Sequence, residues 1–262
     1  MKRSSVPVYG VRLAYREAGS GDPLLLVHGN FASGRWFEEQ LDSPPVGYRL
    51  IAPDLPNFGE SDGMPEEISI ASYARYLAGF CDALAIERLT LLGHSLGGAV
   101  AQAFATEQPD RIERLILVAS AAPDGHETPA EHFPVLESLK GNREGLALAL
   151  AATMPSRRPS WFEGVVDDAL ALAPHAITGN VRALAEFDVS EEARSYPGPV
   201  LVLRGDLDLP HLITEEIARR TAAAYPNSRL ELWQGVGHSP QVEAPQRFNR
   251  LLAEFLAEVV DD

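Results

Sequence analysis

Short apolar runs alternate with amphipathic stretches along most of this chain. Leu24-Leu25-Leu26-Val27, Arg49-Leu50-Ile51-Ala52, Leu89-Thr90-Leu91-Leu92, Leu115-Ile116-Leu117-Val118 and Val200-Leu201-Val202-Leu203 are almost continuously apolar. Such runs suit strands covered on both faces. Val11 to Tyr15 alternates as an early edge strand would, and Leu230-Glu231-Leu232-Trp233 closes the series. Helical patterns fit between them at Ser69–Leu84, Leu96–Thr106, Thr214–Ala224 and Pro245–Val259. The alternation predicts an α/β fold, a mostly parallel sheet with helices on both faces.

One region breaks the rhythm. Between about Ala122 and Thr178 no strand-like run occurs, and prolines 123, 129, 134, 155, 159 and 174 punctuate short helical stretches. Glu144–Ala152 and Phe162–Leu172 are the clearest of these. Over fifty residues is long for a plain crossover connection. The segment therefore reads as a helical cap, residues 122–178, inserted into a core formed by residues 1–121 and 179–262.

The run Leu89–Leu92 leads into Gly93-His94-Ser95-Leu96-Gly97, and strong helix formers follow from Gly98 to Ala105. A strand that turns into a helix on G-x-S-x-G is a nucleophile elbow. The turn strains the serine backbone, and small residues two before and two after let the chains pass. The helix start places free N–H groups and a positive dipole end beside the serine.

A serine hydroxyl is a weak nucleophile at neutral pH and needs a base with an orienting acid behind it. After Val200–Leu203 comes Arg204-Gly205-Asp206-Leu207-Asp208, and after Leu230–Trp233 comes Gln234-Gly235-Val236-Gly237-His238. The order Ser95, Asp208, His238 fits a triad in which His238 is the base. The oxyanion donors fall on the amide of Leu96 and, in the loop His28-Gly29-Asn30-Phe31, on that of Asn30 or Phe31.

Together these pieces resemble the α/β-hydrolase superfamily, in particular its serine esterases and C–C hydrolases with a helical cap. The resemblance is carried by His28-Gly29, by Pro53-Asp54-Leu55-Pro56-Asn57-Phe58-Gly59-Glu60-Ser61-Asp62, by the elbow with Gly98, by Gly205-Asp206-Leu207-Asp208 and by Gly237-His238. It covers both halves of the core and leaves out the cap. It implies an α/β-hydrolase fold and a serine hydrolase that cleaves a carboxylic ester or similar small acyl compound. A C–C bond hydrolase, a lactonase and a perhydrolase use the same triad, and some relatives are ligand-sensing receptors. The family's acid position falls on Asp208; Asp206 reads as a turn cap, and Asp124 is an alternative acid site in some relatives. Asp54 sits where the family keeps a loop-bracing aspartate, and His28 reads as a second brace. Asn57 stands where many relatives have glycine, which points to a left-handed backbone that asparagine tolerates. Haloalkane dehalogenases and epoxide hydrolases share the His28-Gly29-Asn30 region but need a carboxylate nucleophile, which Ser95 is not.

Phe31, Trp161, Phe162 and Met154 are candidates for the substrate pocket, although Trp161, Phe162, Met154 and Phe133 suit a small cap core equally well. His94 reads as packing beside the turn. His126, His132, His175 and His211 lack metal-ligand spacing and read as solvated, as does the pair Arg157-Arg158. No CxxC, HExxH or Walker-type loop occurs, so no metal, nucleotide or other cofactor is implied.

Composition narrows the partners. A formal net charge of −15 disfavours nucleic acid, because a phosphate backbone needs basic residues to neutralise it, and it repels anionic membranes. A small-molecule acyl substrate remains the expected partner of a monomer or homodimer. Two cations near the start, Lys2 and Arg3, have no apolar stretch behind them, so a signal peptide is not expected. The single cysteine, Cys81, forms no internal disulfide and sits in a helical pattern as a buried thiol. A cytoplasmic location follows as the expectation.

Overall fold

The computed structural model describes residues 1–258. Eight strands form one sheet: β1 (Lys2–Val8), β2 (Val11–Gly19), β3 (Asp22–Val27), β4 (Tyr48–Pro53), β5 (Leu89–His94), β6 (Ile112–Val118), β7 (Val200–Gly205) and β8 (Ser228–Trp233). Their spatial order is β1-β2-β4-β3-β5-β6-β7-β8. β2 runs antiparallel to both β1 and β4, and every later pair is parallel.

The continuous apolar runs are explained by their two faces. In β3, Leu25 and Val27 face a core shared with α2 (Ile70–Ala83) and α3 (Leu96–Glu107), while Leu24 and Leu26 face a second core. That second core contains Trp36, Phe248 and Phe255, the latter two from α11 (Pro245–Ala257). All four β3 residues are fully buried, and burying one such side chain contributes about 1.5–3 kcal/mol. Helix boundaries follow capping chemistry. Ser69 and Ser72 close a reciprocal box at the start of α2, and the Thr214 hydroxyl accepts from Ile217 at the start of α9 (Glu215–Ala224). Pro245 opens α11 as expected, while Val259, the last residue assigned to that helix from sequence, lies outside the described residues.

The first strand differs from expectation. Val11–Tyr15 is not an edge: β1 pairs outside it, from Lys2↔Glu17 to Val8↔Val11. The hairpin turns on Tyr9 and Gly10, both at positive φ (49° and 83°), as a two-residue turn matching strand twist requires. Only Val6 and Val8 carry the apolar alternation of β1, so pairing rather than pattern holds this strand.

Two short helices, α1 (Glu38–Leu41) after β3 and α10 (Pro240–Glu243) before α11, flank the second core. Between β6 and β7 the chain forms α4 (Phe133–Ser138), α5 (Arg143–Ala152), α6 (Phe162–Ala171), α7 (Pro174–Ala185) and α8 (Ser190–Ala193). α7 runs across residue 178, so the sequence-based boundary falls inside a helix, and the chain rejoins the sheet at Val200. None of the described helices is long and apolar enough to cross a membrane.

The topology fixes where a site can form. β3 lies between β4 and β5, so the chain leaves β3 to one side and β5 to the other. In open α/β sheets a crevice opens at such a switch point, beyond the carboxyl ends of the strands. The loops carrying Asn30 and Ser95 both start there.

Candidate active site

Ser95 occupies φ 54°, ψ −119° between β5 and α3, a region that side-chain-bearing residues rarely adopt. Its N–H donates to the Val118 carbonyl (3.0 Å) and its own carbonyl accepts from Gly98 (2.9 Å). Every residue from Leu89 to Ala105 is buried except Ser95, which is half-buried. The flanking glycines are sterically required: a methyl on Gly97 would collide with the Val27 and His28 carbonyl oxygens, and one on Gly93 with the Gly97 carbonyl.

His238 follows β8 and faces Asp208, which follows β7, at 2.9 Å between Nδ1 and Oδ2. Both side chains are buried. Asp206 instead accepts the Gly235 N–H at 2.7 Å and caps the turn after β8. Asp124 forms a surface ion pair with Arg220 at 3.2 Å. Of the three aspartates weighed from sequence, only Asp208 meets the histidine.

The loop after β3 is braced as expected. His28 Nε2 accepts the Leu55 N–H (3.0 Å), and the protonated Nδ1 donates to the Gly29 carbonyl (2.8 Å). Burial holds the His28 pKa below its ordinary value. Asp54 accepts from the Gly34 and Glu60 amides at 2.7 and 2.9 Å and pairs with Arg16 at 3.2 Å. Asn57 does adopt positive φ, 75°. In the same loop Phe31 stands at φ 57°, and its N–H donates to Asn30 Oδ1 at 3.1 Å.

A cavity of about 500 Å³ opens beside Ser95 and His238. Sheet loops supply Asn30, Phe31, Leu209 and Ile213 to its wall, the start of α3 supplies Leu96, and the helical insertion supplies Leu136, Leu139, Leu146, Leu150, Val181 and Leu184. Among the described residues its lining contains no Lys, Arg, Asp or Glu.

Several assignments are corrected here. Trp161, Phe162 and Met154 do not line the cavity; they pack in the core that α5 and α6 share with the sheet loops. Phe133 lies under the Arg182 guanidinium, 5.7 Å from it. Only Phe31 of the four pocket candidates reaches the cavity. The wall instead comes from leucines of α4, α5 and α7, chosen by helix rotation that periodicity left undefined. His126, His132 and His211 are not simply solvated, because all three line the cavity. His132 and His211 meet edge to face with centroids 5.2 Å apart, and His126 Nε2 donates to the His211 carbonyl at 3.3 Å. His175 is exposed, as expected. Arg157 is no solvated cation: it pairs with Glu39 and donates to the Val242 carbonyl, both at 2.5 Å. Arg158 stacks on Phe162.

Two supporting residues escaped the sequence reading. The Glu243 carboxylate accepts the amides of Gly237 (2.9 Å) and Ser239 (3.2 Å), on either side of His238. Its second oxygen accepts the Ser156 N–H and hydroxyl at 3.0 and 2.6 Å. The signal available was an acid one helical turn beyond Ser239-Pro240, a helix start. Asn180 was the second: it is fully buried on α7 and donates to Asn30 Oδ1 at 2.9 Å. Its place in the stripe Ile177, Asn180, Val181, Leu184 marked it as inward-facing.

The family model for the alpha/beta hydrolase family matches residues 24–251. This chain belongs to that family. As an alpha/beta hydrolase it is 30% identical over 273 residues to an uncharacterized protein of Mycobacterium tuberculosis, covering 95% of this chain and 79% of the relative. It is 29% identical over 272 residues to the 2-hydroxymuconate semialdehyde hydrolase of Pseudomonas putida, covering 95% and 92%. Among solved structures it is similar to a thermophilic esterase from Thermogutta terrifontis, with 28% identity, a TM-score of 0.80 and 98% of each chain covered. This alpha/beta hydrolase thus has relatives with more than one hydrolytic activity.

His94 sits in the elbow and in the wall of the same cavity. His94 Nε2 donates to the His238 carbonyl at 2.9 Å, and its ring stacks on Trp36. Complete burial holds its pKa well below the ordinary histidine value. Burial also lowers the pKa values of His126 and His211. Cys81 lies far down α2, fully buried, with its thiol pushed up to about 12 by desolvation, so it is chemically inert.

Proposed function

We propose that the protein is a serine hydrolase that cleaves a carboxylic ester, or a similar small uncharged acyl compound, through an acyl-enzyme. The observation that carries this reading is the His238–Asp208 contact at 2.9 Å, on a histidine that shares a cavity wall with Ser95. With Nδ1 committed to Asp208, Nε2 is the nitrogen left to take the Ser95 proton. Ser95 Oγ then attacks the acyl carbon, and His238 returns the proton to the departing alcohol. Water deacylates the enzyme by the same base.

The tetrahedral oxyanion needs donors aimed at it. Leu96 supplies one amide at the start of α3. Asn30 is the better of the two loop candidates, because the Phe31 N–H is already engaged by Asn30 Oδ1. Each such donor is worth roughly 3–4 kcal/mol in the transition state. The helical insertion acts as a cap whose leucines receive the acyl chain.

A C–C bond hydrolase is the second reading, favoured by the likeness to the Pseudomonas putida enzyme. A semialdehyde of muconate carries a carboxylate, and a buried carboxylate calls for a cation beside it. No Arg or Lys lines the cavity among the described residues, which supports the ester instead. Turnover of p-nitrophenyl acetate, butyrate and octanoate, against a carboxylate-bearing ring-cleavage dienone, tests the choice. The proposal requires ester turnover at least about a hundredfold above that of the dienone; the reverse ranking overturns it.

A further inference from the structure

The oxyanion loop is held from the insertion side by a chain of hydrogen bonds that the core alone cannot supply. Tyr73 on α2 donates its hydroxyl to Asn180 Oδ1 at 2.8 Å, and Asn180 Nδ2 donates to Asn30 Oδ1 at 2.9 Å. Asn30 Oδ1 also accepts the Phe31 N–H at 3.1 Å. The direction of this chain is fixed by chemistry. Phe31 N–H can only donate, so the Asn30 atom facing it is oxygen; the Asn180 atom facing that oxygen is then nitrogen, and the Asn180 oxygen is left for the Tyr73 hydroxyl.

Asn180 and Tyr73 are both completely buried. An apolar residue at position 180 would continue the stripe of Ile177, Val181 and Leu184 without the desolvation cost of an amide. What the amide adds is orientation. It locks the Asn30 side chain while the next residue, Phe31, is held at φ 57°, a conformation that persists only where surrounding contacts impose it. The Asn30 backbone amide lies in the peptide immediately before that locked side chain.

We propose that Asn180 is a positioning residue for the oxyanion hole: by holding the Asn30 side chain it aims the Asn30 amide at the developing negative charge. The inference rests on the serine-hydrolase reading above. The insertion then contributes to the chemistry as well as to the pocket, because its α7 sets one of the two donors.

The test compares wild type with Asn180→Asp, Asn180→Leu and Tyr73→Phe. Asn180→Asp keeps the shape and the acceptor for Tyr73 but replaces the amide donor toward Asn30 Oδ1 with a carboxyl oxygen, which opposes it when ionised. The variants are therefore compared at about pH 8 and above, where ionisation is favoured. Asn180→Asp is expected to lower kcat for p-nitrophenyl butyrate about ten- to hundredfold with KM within about twofold, the signature of a contact used in the transition state. Affinity for a boronic acid that forms a tetrahedral adduct on the serine should fall by a similar factor. Tyr73→Phe, one bond further out, should lose less. Asn30→Ala combined with Asn180→Leu should be no slower than Asn30→Ala alone, since the two act through one contact. A folded Asn180→Asp protein with unchanged kcat, or a loss confined to KM, overturns the inference. Amide hydrogen exchange separates this from failure of the parent reading. If the wild type hydrolyses no ester, the serine mechanism falls, yet exchange at Asn30 and Phe31 should still speed at least about tenfold in Asn180→Asp with Leu96 unchanged. Equal exchange in the two proteins overturns the positioning role.

Discussion

His238 presents Nδ1 to Oδ2 of Asp208 across 2.9 Å, joining two loops thirty residues apart in the chain. Asp206 lies on the same loop as Asp208 but turns to the Gly235 amide. Two carboxylates at nearly the same sequence position therefore have separate tasks, one orienting an imidazole and one closing a turn. Asp208→Asn should leave the fold intact and lower kcat roughly 10³–10⁴-fold, because the wrong histidine tautomer is favoured. Asp206→Asn keeps an acceptor for Gly235 and should change kcat less than about threefold. Steady-state kinetics on one ester checks both, and a larger loss in Asp206→Asn would reassign the acid.

The elbow makes its own demand. A methyl at Gly97 has no room beside the Val27 and His28 carbonyls, and neither is a side chain that can rotate away. Gly97→Ala should destabilise by about 3 kcal/mol or more, lowering the melting temperature by roughly 6–12 °C. Thermal unfolding measures this, and an unchanged midpoint would mean that the elbow is looser than its geometry implies.

Pocket length should respond to α7. Val181 lines the same cavity as Leu184 and Leu150, and a larger side chain there reduces the space for an acyl chain. Val181→Phe should cut kcat/KM for p-nitrophenyl octanoate about tenfold or more while sparing acetate within about threefold. A uniform loss across chain lengths would place the acyl chain elsewhere.

Stability should fall on the acid side. Burial lowers the pKa values of His28 and His94, so the folded protein binds fewer protons there than the unfolded chain. Stability then rises with pH wherever the unfolded state holds the extra protons. The loss therefore begins as pH drops below the unfolded histidine value of about 6.5. The melting temperature of wild type should decline more steeply from pH 7 to 5 than that of His94→Gln, which removes one of these groups. Parallel slopes would exclude His94 as a contributor.

Some of this was legible in the sequence for a physical reason. The elbow, the Asp208 loop and the His238 loop are local devices in which glycine or turn residues sit at fixed offsets from an apolar strand. Such signals survive without knowledge of the partner. β1 was not legible, because Arg3, Ser4 and Ser5 form a strand only by pairing with β2. The cavity wall was not legible either. All four of Leu146, Leu150, Met154 and Phe162 are buried in one core, yet only Leu146 and Leu150 also reach the cavity, a choice made by how α5 and α6 pack. His126 and His132 meet His211 from the other side of β7 in the sequence, and Asn180 meets Asn30 across 150 residues of sequence. Contacts of that range depend on tertiary placement and leave no periodic trace.

The most direct measurement follows the fate of the serine itself. Wild type mixed rapidly with p-nitrophenyl acetate and quenched during turnover should carry one acetyl group, which peptide mass mapping should place on Ser95. Ser95→Ala, folded to the same melting temperature, should carry none and release no p-nitrophenol above background. Acetyl on any other residue, or full turnover by Ser95→Ala, would contradict the serine mechanism.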